Sequence, residues 1–272
     1  MKLDLHVHST VSDGTASPEE VVERAVAGGL DILALSDHDT VAGVERAVEA
    51  ARGRMLHVIP AVEMSSTFKG ADIHILGYFV DVRSGAFARH ARRNRERRDA
   101  RMTEMVERLA LQGVAISRKR LDEQRGSAEV AYSRPHLARA LVNAGYASTV
   151  RDAFARLIGN HCPAYVPTRI ATPEDATRTI LAGGGIPVWA HPPAGRFREL
   201  LPRLLDAGLM GLEAYRATRV SVGLGRLEDV ARSEGLVLTG GSDWHGPEGG
   251  RDLGDFYVTG EEVADFLSAG GM

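Results

Sequence analysis

The sequence predicts an α/β protein, a (β/α) barrel interrupted by a helical insertion, and three observations point there. Short β-like runs alternate with longer helical patterns toward both ends of the chain, the rhythm of a parallel barrel. The 272 residues suit one barrel of about 250 residues with an addition. Histidines and acids recur just where the β-like runs end, the rim at which barrels carry their chemistry.

The elements follow in order. Leu3 to Val7 reads as a strand. Ser17-Pro18-Glu19-Glu20 then opens a helix, with serine as cap, proline in the first turn and acids favoured by the helix dipole. A strand from Asp31 to Ser36 precedes a helix through Val41 to Ala51. Leu56 to Ser65 pairs with Asp72 to Val80 across the Lys69-Gly70 turn. Later strands fall at Ile186 to Ala190, Gly211 to Ala214 and Leu236 to Gly240, each set off by a helical segment, giving six or seven units. Between them, residues 85–165 show only helical periodicity, at Arg101 to Gln112, Ser133 to Gly145 and Ser148 to Gly159. The expected division is therefore a barrel from 1–84 and 166–272, with 85–165 as a helical insertion over the active site. The Gly249-Gly250 region and the glycine-rich tail read as mobile loops.

Composition narrows the class. Hydrophobic residues at 44% and charged residues at 25% are ordinary for a packed globular domain and exclude wholesale disorder. No apolar run could span a bilayer, and Met1-Lys2-Leu3-Asp4-Leu5-His6 lacks a secretion signal's pattern, so the expected location is cytoplasmic. Cys162 is the only cysteine and has no internal disulfide partner.

The chemistry lies in His6-Val7-His8, Asp13, Ser36-Asp37-His38-Asp39, Glu63, His74, Ala190-His191-Pro192 and Ser242-Asp243-Trp244-His245. Imidazole and carboxylate hold borderline and hard divalent cations, and this set has donors enough for two or three ions. Side chains two apart on a strand share a face, so His6 and His8 can reach one ion, as can Asp243 and His245. Burying so many ionisable groups unpaired would cost several kcal/mol each, about what metal coordination removes. These donors suit manganese, iron and zinc alike, and manganese is the expected ion.

In this order, Asp4-Leu5-His6-Val7-His8-Ser9, Ser12-Asp13-Gly14, Ser36-Asp37-His38-Asp39-Thr40, Val62-Glu63, Ala190-His191-Pro192 and Ser242-Asp243-Trp244-His245 resemble the successive motifs of the polymerase and histidinol phosphatase (PHP) family. The likeness spans the chain apart from the insertion. It implies a distorted seven-stranded (β/α) barrel, TIM-like, with a polynuclear metal centre that hydrolyses phosphoesters. Carried over by position, His6, His8, Glu63 and Asp243 would hold one ion. Glu63, His74 and His191 would hold a second, and Asp13, His38 and His245 a third. The insertion and Ser133-Arg134-Pro135-His136 resemble the subgroup that removes the 3'-phosphate of nucleoside 3',5'-bisphosphates, some relatives of which degrade short RNA from the 5' end.

Several residues carry a second reading. Asp13 also suits the Ser12-Asp13-Gly14 turn, and His74, alternating with Asp72 and Leu76, also suits a structural role. Asp37 and Asp39 either orient His38 or start a helix. Arg134 and His136 either bind phosphate or open the next helix behind Pro135. The run Arg89 to Arg101 reads first as a solvated helix face paired with Glu96, Asp99 and Glu104, second as a polyanion track. His57, His90 and His161 read as structural or surface residues, and Trp189 and Trp244 as packing around the ligands.

The implied enzyme is a metal-dependent phosphoesterase in which metal-bound hydroxide attacks phosphorus; the residues do not identify a general acid. Its substrate would be a small phosphorylated metabolite, foremost a nucleoside 3',5'-bisphosphate, and short RNA beyond that, with no membrane or obligate protein partner. A histidinol phosphate phosphatase is the alternative within enzymes. From another class, the alternative is a regulatory module that binds metal or nucleotide without turnover.

Overall fold

The computed structural model describes residues 1–125, 130–167, 171–217 and 223–272. Its elements run β1 (Lys2–Val7), α1 (Pro18–Ala27), β2 (Ile32–Leu35), α2 (Val44–Ala50), β3 (His57–Phe68), β4 (Ala71–Tyr78), α3 (Gly85–Leu111), α4 (Arg118–Arg125), α5 (Arg134–Asn143), α6 (Val150–Ala153), α7 (Pro173–Ala182), β5 (Ile186–Trp189), α8 (Ala194–Asp206), β6 (Gly211–Arg216), α9 (Leu224–Glu234), β7 (Val237–Gly241), β8 (Val258–Thr259) and α10 (Ala264–Ala269). Two compact units result: Met1–Arg89 with Ala171–Met272, and His90–Ile170.

The first unit is a nearly closed barrel of eight strands in the order β7-β6-β5-β4-β3-β2-β1-β8. β1, β2 and β3 run parallel, as do β5, β6 and β7. β4 is antiparallel to both its neighbours, because the Lys69-Gly70 turn folds it straight back along β3. That reversal is the distortion of the barrel. Alternate residues of five strands, among them Leu3 and Leu5, Ile32 and Ala34, Ile59 and Ala61, Leu76 and Tyr78, and Ile186 and Val188, form one buried cluster. Their neighbours Leu33, Leu35 and Val58 pack instead with Val21, Val22 and Ala25 of α1 and Ala47 of α2. The period of two thus sorts each strand between an inner and an outer layer.

Helix starts follow their caps. Ser17 Oγ accepts from the Glu20 amide at 3.2 Å while the Glu20 carboxylate accepts from the Ser17 amide at 2.7 Å, closing a capping box on α1. Thr172 caps α7 with a single bond, its side chain accepting from the Asp175 amide.

The seam is divided along β1. Its first residues pair with β8, Lys2 with Thr259 and Leu3 with Val258. Its far end meets the segment after β7: the Asp243 amide donates to His6 O and the His8 amide to Trp244 O, both at 2.9 Å. Gly241 makes that approach possible, since a β-carbon there would stand 2.4 Å from His6 Cβ and 2.5 Å from His6 N.

Two expectations need correction. β8 is an eighth strand, too short at two residues to show periodicity. The tail, expected to be a loop, forms α10, whose Phe266 is fully buried and meets Tyr78 edge-on at 4.9 Å. The glycines around it hid an apolar pair, Phe266-Leu267, that the barrel core absorbs.

In the second unit the helices bury Met102, Met105, Leu109, Leu121, Leu137 and Leu141 against one another. α3 starts at Gly85, sixteen residues before the expected Arg101, because the arginine-rich stretch is helical too. Arg92, Arg93 and Arg97 on it are exposed while Asn94 and Arg101 are buried. The expected helix at Ser148 to Gly159 is α6 followed by a wide turn at Phe154–Ile158. Among the described residues no helix is long and apolar enough to cross a membrane.

Replacing Gly241 with alanine should force the seam apart, lowering stability by about 1–3 kcal/mol as overpacking does. Thermal unfolding of Gly241→Ala, with metal content measured in parallel, checks both the packing and its link to the site.

Candidate metal centre

The barrel delivers the predicted donors to one end. His6 and His8 leave β1, His38 follows β2, Glu63 lies within β3, His74 faces it from β4, His191 follows β5, and Asp243 and His245 follow β7. The pairing of β1 with β2 shifts register between Asp4 and Val7, the stretch that carries His6. Asp13 comes from the loop between β1 and α1.

Glu63 is the hub. Its Oε2 lies 3.3 Å from His6 Nε2, 3.2 Å from His8 Nε2 and 3.1 Å from His38 Nδ1. Its Oε1 lies 2.9 Å from His74 Nδ1 and 3.0 Å from His191 Nε2. Asp243 Oδ1 stands 3.3 and 3.4 Å from the Nε2 atoms of His6 and His8, and His245 Nε2 stands 3.3 Å from Asp13 Oδ1. Donors bound to one ion at about 2.1 Å and at right angles lie about 3 Å apart, and these spacings fit that requirement.

Three groups of ligand atoms each fall within 4.8 Å: His6, His8, Glu63 and Asp243; His8, Asp13, His38 and His245; and His38, Glu63 and His74. The first matches the ligand set carried over from the resemblance, the second adds His8 to the expected third set, and the last takes His38 where His191 was expected. His191 Nε2 is nonetheless 3.2 Å from His74 Nδ1. His6 Nε2, both ring nitrogens of His8 and Glu63 Oε2 are buried without a hydrogen-bond partner. Such atoms are costly unless something binds them, and divalent cations fit the need.

The PHP domain matches residues 4–159. The chain belongs to the PHP family. It is similar to a 3',5'-nucleoside bisphosphate phosphatase of Chromobacterium violaceum, 35% identical over 93% of this chain and 90% of that protein. A 5'-3' exoribonuclease of Haemophilus influenzae is 34% identical over 93% of each chain. A solved amidohydrolase from Chromobacterium violaceum, with bound sulfate and no metal, superposes with a TM-score of 0.87 at 31% identity, covering 95% of this chain and 92% of that one. The protein is thus a metal-dependent phosphoesterase, a hydrolase of phosphate esters.

Behind these donors stands a layer that the sequence reading left out. Glu213, fully buried on β6, accepts from His6 Nδ1 at 2.7 Å and from the His191 amide at 2.8 Å. The first contact fixes the proton on Nδ1 and leaves Nε2 facing the cage. His245 is set the same way, its Nδ1 donating to Asp243 O at 2.9 Å. Asp4 accepts from the Ser242 amide at 2.9 Å and the His6 amide at 3.3 Å, tying β1 to the strand end that carries Asp243. An acid inside each apolar run, Leu3-Asp4-Leu5 and Leu212-Glu213-Ala214, was the available signal: a carboxylate facing a core needs donors.

Asp37 and Asp39 start no helix, since α2 opens only at Val44. Asp37 accepts from the Ser9 amide at 2.8 Å, Ser9 Oγ at 2.7 Å and Ser12 Oγ at 2.6 Å, shaping the loop that presents Asp13. Asp39 accepts from the Ser65 amide on β3 at 2.8 Å. Asp39, His191 and Asp243 hold left-handed backbone, with φ of 61°, 35° and 56°. Such conformations cost about 1–3 kcal/mol each and persist where the surroundings enforce them.

In the second unit Arg134 opens α5, donates to Asn160 Oδ1 at 2.6 Å and lies 5.5 Å over both the Phe154 and Tyr165 rings. His136 is buried, and its Nδ1 accepts from the Ser133 amide at 3.1 Å. Trp189 stacks on Phe197, and Trp244 Nε1 donates to Arg251 O. His57 is exposed at the start of β3, and His161 contacts Ala155 O.

The charges are mutually dependent. Burial raises the Glu63 carboxyl, but His38, His74 and His6 outweigh it and hold it well below its ordinary value. Burial lowers His245, yet Asp13 and Asp243 lift it to about 10. His6 is raised likewise, against burial, by Glu213, Glu63 and Asp243. Burial, with His8 and His74 beside it, pushes His38 down to about 4, and burial pushes Asp4 up to about 6.

Without metal, raised histidines keep protons that a cation must displace, so metal affinity should climb with pH until His245 has titrated near 10. Calorimetric metal titrations in buffers of different ionisation enthalpy should register the released protons. Glu213→Gln puts an amide donor against the His6 ring or the His191 amide, and should cost about 10- to 100-fold in metal affinity with the fold retained.

Proposed function

We propose that this PHP enzyme removes the 3'-phosphate from nucleoside 3',5'-bisphosphates with two or three divalent cations, manganese foremost, and that the same site degrades short RNA from its 5' end. The observation that carries the reading is the Glu63-centred cage, with its unpaired buried nitrogens, in a chain similar along nearly its whole length to a bisphosphate phosphatase and an exoribonuclease. Cations bound there supply the positive charge that neutralises phosphate oxygens and the acidity that makes water a nucleophile at neutral pH.

The residues take separate parts. His6, His8, Glu63 and Asp243 would hold one ion, with Glu213 orienting His6. His8, Asp13, His38 and His245 would hold a second, on a loop set by Asp37. Glu63 with His38 and His74, and His191 beside them, would hold a third. Arg134 and His136 are assigned the substrate's other phosphate. A planar guanidinium braced by Asn160 and two aromatic rings is suited to bidentate phosphate binding.

The test is a comparison of substrates with the metal-stripped and manganese-loaded protein: nucleoside 3',5'-bisphosphate, 5'-phosphorylated short RNA, histidinol phosphate and an aryl phosphate. The bisphosphate should give the highest kcat/KM, and only with metal. Preference for histidinol phosphate would replace the substrate; no hydrolysis under any metal condition would favour a binding module. Arg134→Ala should raise KM for the bisphosphate about 10- to 100-fold, the loss of a charge-assisted contact.

A further inference from the structure

One cation stands at the cage without a complete set of partners. Arg216 ends β6 three residues after Glu213, with 14% of its side chain exposed. Its Nε lies 3.5 Å from Glu213 Oε2 and its Nη2 3.7 Å from Asp243 Oδ2, both beyond good hydrogen-bond length. Nε is buried with no hydrogen-bond partner. Most oxygens of the nearby carboxylates are committed elsewhere, and Asp243 Oδ2 faces Arg216 only across that 3.7 Å. Glu213 Oε1 faces His6 and Oε2 takes the His191 amide, while Asp243 Oδ1 faces His6 and His8.

A guanidinium so placed is unfavourable twice over. Unfilled buried donors carry a desolvation cost, and the charge sits beside a cage whose donors call for several more positive charges. An anion between the cage and the guanidinium relieves both. Nε and Nη2 lie along one edge of the guanidinium plane and can present two donors to two oxygens of one phosphoryl group.

We propose that Arg216 binds a non-bridging oxygen pair of the phosphoryl group held at the metal cage, making it a substrate-binding residue of the hydrolysis. The proposal rests on the phosphoesterase reading above, and adds to it a contact supplied by the barrel itself. Lysine in its place keeps the charge but loses the fork.

The experiment compares wild type, Arg216→Lys and Arg216→Ala, each loaded with manganese, by metal content, melting temperature, kcat and KM, and the affinity for inorganic phosphate measured by calorimetry. Expected are unchanged metal content and melting temperature for Arg216→Lys, phosphate affinity and kcat/KM both reduced about 10- to 100-fold, and partial recovery of Arg216→Ala by added guanidinium ion. Unchanged phosphate affinity in Arg216→Lys overturns the proposal. So does metal loss in proportion to activity, which would make Arg216 a counter-charge for Glu213 and Asp243. Phosphate titration needs no turnover, so an enzyme inactive on every phosphoester would sink the substrate reading while a weakened phosphate affinity still upheld the role of Arg216.

Discussion

The site depends on a single carboxylate being surrounded by imidazoles. Glu63 meets five histidine nitrogens within 3.3 Å, drawn from β1, the loops after β2 and β5, and β4. An ionised group buried that completely is tolerable only because positive charge lies on both its oxygens, whether protons or metal ions supply it. Everything around it serves that arrangement. β4 must turn back on β3 to bring His74 to Oε1, Glu213 must hold the His6 ring, and the seam must close tightly enough for Asp243 to reach the same nitrogens. The reversal of β4 at the Lys69-Gly70 turn, which breaks the parallel order of the barrel, is what brings His74 to Glu63.

The sequence made much of this legible, and the reason is physical. Imidazole and carboxylate are side chains that bind divalent ions, and the ends of barrel strands can bring them together. The pairs His6 and His8, and Asp243 and His245, announced both at once. The alternation in Asp72 to Val80 and the Lys69-Gly70 turn gave the antiparallel hairpin. What stayed hidden acts through tertiary contacts that no local period reports. Glu213 sits in an ordinary-looking strand, and its partners are 207 and 22 residues away. Arg216 has no motif at all. β8 exists only because β1 lends it an edge, and α10 because Phe266 finds Tyr78. The basic stretch of α3, read from the sequence as a solvated helix face, is helical, and Phe87, Met102 and Met105 of the same helix are buried.

Rigidity at the site is distributed between backbone and side chains. Three left-handed residues lie at or beside ligands, held by contacts such as Asp39 with the Ser65 amide and Glu213 with the His191 amide. The strain aims side chains that regular strands would point elsewhere, and the hydrogen bonds keep it from relaxing. The imidazole and carboxylate donors thus stand on a supporting cast of serines. Ser9 and Ser12 on Asp37 contribute no ligand atom, yet they decide where Asp13 stands.

The divided seam also sets an order of events during synthesis. The opening strand waits for two late segments, one bringing Asp243 and His245 to its far end and the other laying Val258 and Thr259 along its near end. A nascent chain that has exposed all five Glu63 imidazoles still lacks both Asp243 and the walls that exclude water. Closing the cage around Glu63 therefore waits on the last strand pairings of the barrel.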